Sequence, residues 1–128
     1  MSAGPFVITV YWPAKALSPN ARVHWSVKSR AKAAAREEAH IQTIFAKAMR
    51  LPWAGLQYDL ACYPPIKRHR DEDNRLSMLK AYLVGIADAT GIDDRYFRRG
   101  AFTICEPDKA RPRIEITIRE LNREHFGP

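Results

Sequence analysis

Isoleucine alternates with polar residues between positions 114 and 119, and this pattern restricts the fold more than any other. The isoleucines are Ile114, Ile116 and Ile118, and the polar residues are Glu115, Thr117 and Arg119. Because successive side chains of a strand point to opposite faces of a sheet, the segment predicts a strand with one buried face and one face in water. A further layer of the fold must cover the apolar face of such a sheet.

Three other segments have the composition of strands. They are rich in β-branched, aromatic or alternating apolar residues, and turns containing proline follow them. Their predicted bounds are Phe6 to Trp12, Leu56 to Cys62 and Phe97 to Cys105. We predict that the last two strands of the chain pair as a hairpin, because strands that follow each other in sequence usually lie side by side.

A first helix is predicted from Ser26 to Met49. This segment contains many Ala, Arg, Lys and Glu residues and neither Gly nor Pro, and Pro52 follows it. Its apolar inner face is predicted at Ala33, Ile41, Ile44, Phe45 and Ala48.

A second helix is predicted from Asn74 to Thr90, because leucine and isoleucine recur there at spacings of three and four residues. The recurring residues are Leu76, Leu79, Leu83 and Ile86. Asp73 is the expected N-cap of this helix and Gly91 its expected C-cap.

The elements follow one another in the order β-α-β-α-β-β within 128 residues. This length suits a single domain. The order predicts an α+β fold in which two helices pack on one face of a mixed sheet. We expect the domain to span residues 1–120 and a C-terminal tail to span residues 121–128.

The charge balance favours a polyanionic partner. The chain has 21 Lys and Arg residues against 14 Asp and Glu, a formal net charge of +7. Such an excess in a small domain favours nucleic-acid binding, and incidental basicity is the alternative. Two cysteines, Cys62 and Cys105, make neither a disulfide scaffold nor a zinc motif. The apolar run from Pro5 to Ala14 is too short to span a membrane, so we expect a cytoplasmic protein without membrane attachment.

Two aspartates, Asp71 and Asp73, stand between a basic cluster and the second helix. In an extended segment, residues two apart point the same way, so both carboxylates can face one point. Divalent cations such as Mg²⁺ prefer oxygen ligands and usually take one or two of them from protein carboxylates. The alternative is that these residues only cap the helix.

A second acidic pair, Asp93-Asp94, follows the predicted end of the second helix, and simple turn residues are the alternative there. Lys80 stands seven residues after Asp73, which is two helical turns along nearly the same face. Long helical side chains lean toward the N-terminus, so Lys80 is predicted to approach the carboxylates. A solvated lysine is the alternative.

These residues resemble the RusA family of Holliday-junction resolvases, the crossover junction endodeoxyribonucleases of phages and prophages. The resembling segments are Arg70-Asp71-Glu72-Asp73-Asn74, Leu79-Lys80-Ala81, Gly91-Ile92-Asp93-Asp94 and Ser18-Pro19-Asn20. With the final alternating strand, the resemblance covers nearly the whole chain. The family's lysine often stands four residues after the second aspartate. This chain has Ser77 there, and Lys80 is the nearest lysine.

The resemblance implies a homodimeric, Mg²⁺-dependent endonuclease, with Mn²⁺ as an alternative ion, that nicks four-way DNA junctions symmetrically in recombination and repair. It places the catalytic and metal-binding aspartates at Asp71, Asp73 and one of Asp93 and Asp94, of which we favour Asp94. Lys80 is then expected to neutralise charge that develops during cleavage. An origin in a phage or prophage fits this family.

The predicted DNA contacts are basic or polar side chains beside the acidic segment, on the first helix and in the loop before it. They are Asn20, Arg22, Lys28, Arg30, Lys32, Lys67, Arg68 and Arg70. Contacts of this kind position the phosphate backbone without reading sequence, and they weaken with salt.

The length of the second helix leads to a hypothesis about assembly. An unbroken helix from Asn74 to Thr90 would be about 25 Å long, and residues 91–94 reach back only about 10 Å. The two acidic segments would then meet only across a two-fold axis between antiparallel helices, where each contact occurs twice.

Three other functions compete with this interpretation. The first is a non-catalytic protein that binds branched DNA or other nucleic acid. The second is an interaction module whose aspartates are caps only. A nucleotidyltransferase also uses paired aspartates, but no glycine-rich phosphate loop stands beside Asp71 and Asp73, so we rank it lower.

Overall fold

The computed structural model describes residues 4–67 and 76–121. The strands are β1 (Phe6–Tyr11), β2 (Gly55–Tyr63), β3 (Phe97–Ile104) and β4 (Arg113–Leu121), and the α-helices are α1 (Trp25–Phe45) and α2 (Lys80–Thr90). Short 3₁₀ helices span Lys15–Leu17 and Asp94–Tyr96. The predicted order β-α-β-α-β-β and the α+β class with a mixed sheet are confirmed.

The predicted hairpin between the last two strands is wrong. The strand order is β1-β4-β2-β3, with β4 antiparallel to β1 and β2 and with β3 parallel to β2 at the edge. The central position suits β4, because Ile116 faces Ile8 on one side and Leu60 on the other. Strand β3 exposes most of its residues beyond Phe97, as an edge strand can.

The core lies between the helices and one face of the sheet. The alternating isoleucines of β4 are at most 1% exposed, which confirms the one-sided burial predicted for this strand. They pack with apolar residues of β1, β2 and α2, among them Ile8, Leu60 and Ile86. Two helices therefore cover one sheet face, and the other face carries both polar residues, such as Thr117, and exposed apolar ones, such as Val7.

Most of the predicted inner face of α1 is wrong. Ile41 and Ile44 are each 41% exposed and Phe45 is 75% exposed. The helix instead buries Ala35 and Ala39. These small residues are needed because α1 packs very closely against α2, where a side chain at Gly85 would overlap the Arg36 carbonyl oxygen.

Both helices differ from their predicted bounds. Helix α1 ends at Phe45 rather than Met49, since Lys47 has a positive φ of 65° that a helix cannot contain. Helix α2 ends at Thr90, and Gly91 with φ of 79° is its C-cap, as predicted. It begins at Lys80, and a turn at Leu79 separates it from residues 76–78, which are also helical. The predicted cap Asp73 lies outside the described residues.

The predicted tail, residues 121–128, is described only at its first residue. Leu121 belongs to β4, pairs in register with Gly55 and is 8% exposed. The remaining residues of that predicted tail, 122–128, lie outside the described ranges. In residues 4–67 and 76–121, no helix is long and apolar enough to cross a membrane.

Candidate nucleic-acid interface

A groove runs between α1 and α2 on the side of the helices away from the sheet core. Its cavity has a volume of about 810 Å³. Four residues of α1 line it at successive spacings of four, and such spacing keeps side chains on one helix face. They are Lys28, Lys32, Arg36 and His40. We call this cavity with its basic stripe the interhelical groove.

The opposite wall of the interhelical groove comes from α2 and the residues just before it. Lys80 and Asp88 supply the charged groups there, and Ser77 lines the groove from the segment just before α2. The complete lining holds four Lys or Arg side chains against two acidic ones, since Glu37 is the second. The groove is therefore net positive, as expected of a surface that binds phosphates.

An ion pair bridges the two walls. Arg36 Nε donates to Asp88 Oδ2 at 2.6 Å, and a terminal Arg36 nitrogen donates to Oδ1 at 3.1 Å. The hydrogen bond from Arg36 lowers the pKa of the Asp88 carboxyl, with the positive charge of Arg36 adding to the effect. The Arg36 side chain nevertheless remains 56% exposed, so its guanidinium is accessible to a ligand in the groove.

The structure places one predicted site residue of α2 in the same groove as two predicted site residues of α1. Lys28, Lys32 and Lys80 all line the interhelical groove. Arg30 is exposed but does not line it, because two residues along a helix turn a side chain to the opposite side. That these residues bind DNA stays a prediction.

The loop before α1 forms one end of the groove through Leu17 and Pro19. Asn20 and Arg22, two predicted contacts, are exposed in this loop. The Asn20 backbone N–H donates to Ser18 Oγ at 3.3 Å, which is turn chemistry. These residues are thus accessible to a ligand near the start of α1.

The acidic segment falls largely outside the described residues. Asp71 and Asp73, with Arg68 and Arg70, belong to residues 68–75 and are not described. Lys67, the predicted contact just before them, is exposed. Among the described residues, no group of three or more His, Cys, Asp and Glu side chains is arranged to hold a metal ion.

Ser77 and Lys80 line the same cavity, although they are three residues apart. Both positions therefore lie on the wall of the interhelical groove. Lys80 is the first residue of α2 and is exposed.

The two aspartates after α2 have different environments. Asp93 caps the following 3₁₀ helix: its Oδ1 accepts from the Arg95 backbone N–H at 3.0 Å and its Oδ2 from the Arg95 guanidinium at 3.2 Å. The Arg95 backbone hydrogen bond is the main cause of a lowered pKa at Asp93. Asp94 is exposed within the 3₁₀ helix and is not the capping residue. Asp93 therefore has a role in the turn, and metal binding by either aspartate stays a prediction.

The hypothesis of a site shared between subunits stays a prediction. Of the predicted helix, residues 76–90 are described, and they are helical apart from a turn at Leu79. The 11 residues of α2 alone span about 16 Å, which is more than the roughly 10 Å that residues 91–94 can reach back. A contact between the two acidic segments within one subunit is therefore still disfavoured.

Sequence reasoning omitted Arg36, His40 and Asp88 from the candidate site. The repeat of basic residues at positions 28, 32, 36 and 40 was a usable indication of one helix face. Asp88 could not be found in this way, because its position opposite Arg36 depends on how the two helices pack.

Asp88→Asn is expected to tighten DNA binding, because it removes a negative charge from the groove and releases Arg36 to bind a phosphate. One added phosphate contact steepens the slope of log affinity against log salt by about 0.9. Titration of a labelled DNA duplex at several salt concentrations measures this slope.

Asp59→Asn is the matched control for Asp88→Asn. It makes the same change in net charge and breaks a similar pair, Asp59 with Arg119 at 3.1 Å. Asp59 lies on the sheet face away from the helices, opposite Thr117 in the register. Equal effects of the two substitutions would contradict DNA binding in the interhelical groove.

Comparison with known proteins identifies a similar sequence but no activity. No family model matches the chain. The chain is similar to an uncharacterized protein of Xylella fastidiosa, with 44% identity over an alignment of 98 residues that covers 70% of this chain and 61% of that protein. The chain thus spans less than two thirds of this relative's length.

Proposed function

We propose that the chain is a Mg²⁺-dependent endonuclease that resolves four-way DNA junctions by paired symmetric nicks, in recombination and repair. The main support is the interhelical groove, where Lys28, Lys32 and Lys80 converge although they belong to different parts of the sequence. A net positive groove suits a phosphate backbone. The proposed metal-dependent cleavage is based on the resemblance of the acidic segments and of Lys80 to the RusA pattern.

In this proposal, the basic stripe of α1 holds the phosphate backbone. The side chains of Lys28 and Lys32 neutralise phosphates and release their counterions, so binding should weaken steeply with salt. Such contacts fix the orientation of the DNA without reading its sequence. The scissile phosphate then lies near Lys80, at the start of α2.

The carboxylates of Asp71, Asp73 and Asp94 are the proposed metal ligands. All are hard oxygen donors, the ligand type that Mg²⁺ prefers, and Asp94 is exposed rather than used as a cap. When bound, the ion supplies activation of a water molecule and stabilisation of charge on the phosphate. Lys80 contributes its ammonium group to the same developing charge.

A homodimer is part of the proposal, because symmetric resolution of a junction requires two cleavage sites. A two-fold dimer repeats every residue contact and therefore presents two equivalent grooves. Each groove would engage one of the two strands that are cut.

A non-catalytic protein that binds branched DNA is the second candidate function. The interhelical groove supports this non-catalytic function, since Lys28, Lys32 and Lys80 can bind phosphates without a metal ion. The two candidates differ only in whether bound DNA is cut.

The test is cleavage of a synthetic four-way junction in Mg²⁺ by the wild type, Asp94→Asn and Asp93→Asn. We expect nicking by the wild type, a large loss in Asp94→Asn, and a smaller loss in Asp93→Asn. Asparagine can still cap a helix, and the Asp93 oxygens are already occupied by Arg95. Junction binding without any Mg²⁺-dependent nicking would favour the non-catalytic function, and the reverse order of the two losses would reassign the ligand to Asp93.

A further inference from the structure

We propose that Trp25 is a stacking platform for an unpaired nucleic-acid base at the N-terminal end of the interhelical groove. This inference rests on the DNA binding proposed above and adds a ligand class, the unstacked base, to that surface. Trp25 is the first residue of α1 and is 74% exposed. By contrast, Trp53 is only 7% exposed and packs against Phe6 in the core.

The surroundings of Trp25 hold its ring at the surface. The His24 ring lies 5.5 Å from the Trp25 ring, centroid to centroid. His24 is itself fixed, because its Nδ1 accepts from the Ser26 backbone N–H at 3.1 Å as the N-cap of α1. The indole is thus placed beside an anchored side chain and remains available to a ligand.

The charge around Trp25 identifies the kind of ligand. Residues 1–36 contain six Lys or Arg and no Asp or Glu. Arg22 precedes Trp25 by three residues and is exposed, and Lys28 follows it by three, which is one helical turn toward the groove. A partner for this surface must combine negative charge with a flat aromatic group, and a nucleotide has both.

Aromatic side chains within a basic surface are the usual means of binding unpaired nucleic acid, because every base has a face that can stack. Bases inside a continuous duplex are already stacked on each other, whereas bases at a branch point can separate. A base that stacks on Trp25 would leave its phosphate close to Lys28 at the groove. Trp25 would therefore favour branched or single-stranded DNA over linear duplex.

The chain provides a matched control at the opposite end of the same helix. Phe45 is 75% exposed, nearly the same fraction as Trp25. It is 20 residues away, about 30 Å along α1. It lies beside the exposed apolar residues Ile41 and Ile44 rather than in the basic region. Truncation of either ring removes a similar exposed aromatic surface.

The experiment measures affinity without divalent metal, so that cleavage cannot interfere. Wild type, Trp25→Ala, Trp25→Phe and Phe45→Ala are titrated against a four-way junction, an oligothymidylate and a linear duplex. Stacking on one base corresponds to about a five- to 150-fold change in affinity. We expect Trp25→Ala to lose affinity in this range for the junction and the oligothymidylate but not for the duplex, and Trp25→Phe to retain most of it.

A second readout reports stacking directly. The fluorescence of 2-aminopurine at the branch point should be quenched by the wild type and Trp25→Phe, and not by Trp25→Ala. Equal affinities of Trp25→Ala and Phe45→Ala for the junction, or an equal loss on the duplex, would overturn the proposal. A wild type that stacks on the oligothymidylate through Trp25 but never nicks a junction would support the platform and contradict the endonuclease.

Discussion

Asp73→Asn is expected to reduce Mg²⁺-dependent cleavage of a four-way junction by at least about 100-fold. Loss of a metal ligand removes several kcal/mol of charge stabilisation in the transition state, and each 1.36 kcal/mol is about tenfold in rate. Junction affinity should be unchanged or higher, because the substitution also removes a negative charge that repels phosphates. Single-turnover cleavage and a binding titration on the same junction separate the two effects.

Glu72→Gln is the matched control for Asp73→Asn. It removes the same charge one residue away, and in an extended segment its side chain points to the opposite side. We expect nearly normal cleavage by this variant. If both substitutions abolish cleavage equally, net charge rather than metal ligation explains the loss. If neither affects it, the acidic segment is not catalytic.

Gly85→Ala is expected to lower the free energy of unfolding by about 2 kcal/mol or more. Alanine favours an α-helix over glycine by about 1 kcal/mol, so propensity alone predicts stabilisation. At this position the new Cβ would overlap the Arg36 carbonyl oxygen and contact the Ala39 Cβ at 3.0 Å. A backbone carbonyl cannot rotate away, so α1 and α2 must separate. Overpacking that forces backbone shifts of this kind typically costs about 1–3 kcal/mol, occasionally more.

Thermal unfolding measures the stability of Gly85→Ala, and a fall of about 8 °C in Tm corresponds to this loss. Gly91→Asn is the control, because Gly91 has φ of 79° and a Cβ added there would meet no atom within 4 Å. Asparagine tolerates this conformation, so its cost should be smaller. Because the helices form the interhelical groove, Gly85→Ala should also weaken DNA binding. A rise in Tm would contradict the close packing of the two helices.

Local patterns predicted the elements well, because each depends on neighbouring residues. The alternation that ends at Ile118 and the cap at Gly91 are properties of short segments. The pairing of β4 between β1 and β2 was not predictable in this way, since it depends on contacts between distant strands. Ile44 and Phe45 were wrongly predicted to be buried because they are large apolar residues. The small residues of α1 face α2 instead.

Only part of the candidate site could be predicted, because the rest depends on contacts between distant segments. Charge and spacing singled out Lys28, Lys32 and Lys80, but only helix packing shows that they line one cavity. Nothing in the sequence indicated that Asp88 would pair with Arg36 across that cavity. The assignment of Asp71 and Asp73 to the site depends on their sequence pattern alone, so it requires the most direct test.

The mapping of nicks made by the wild-type chain on a labelled four-way junction, with and without Mg²⁺, is the most direct test of the proposed activity. We predict two nicks at symmetric positions in opposite strands, only when Mg²⁺ is present, and little cleavage of a linear duplex of the same sequence. Tight junction binding with no Mg²⁺-dependent nick, or equal cutting of the linear duplex, would contradict it.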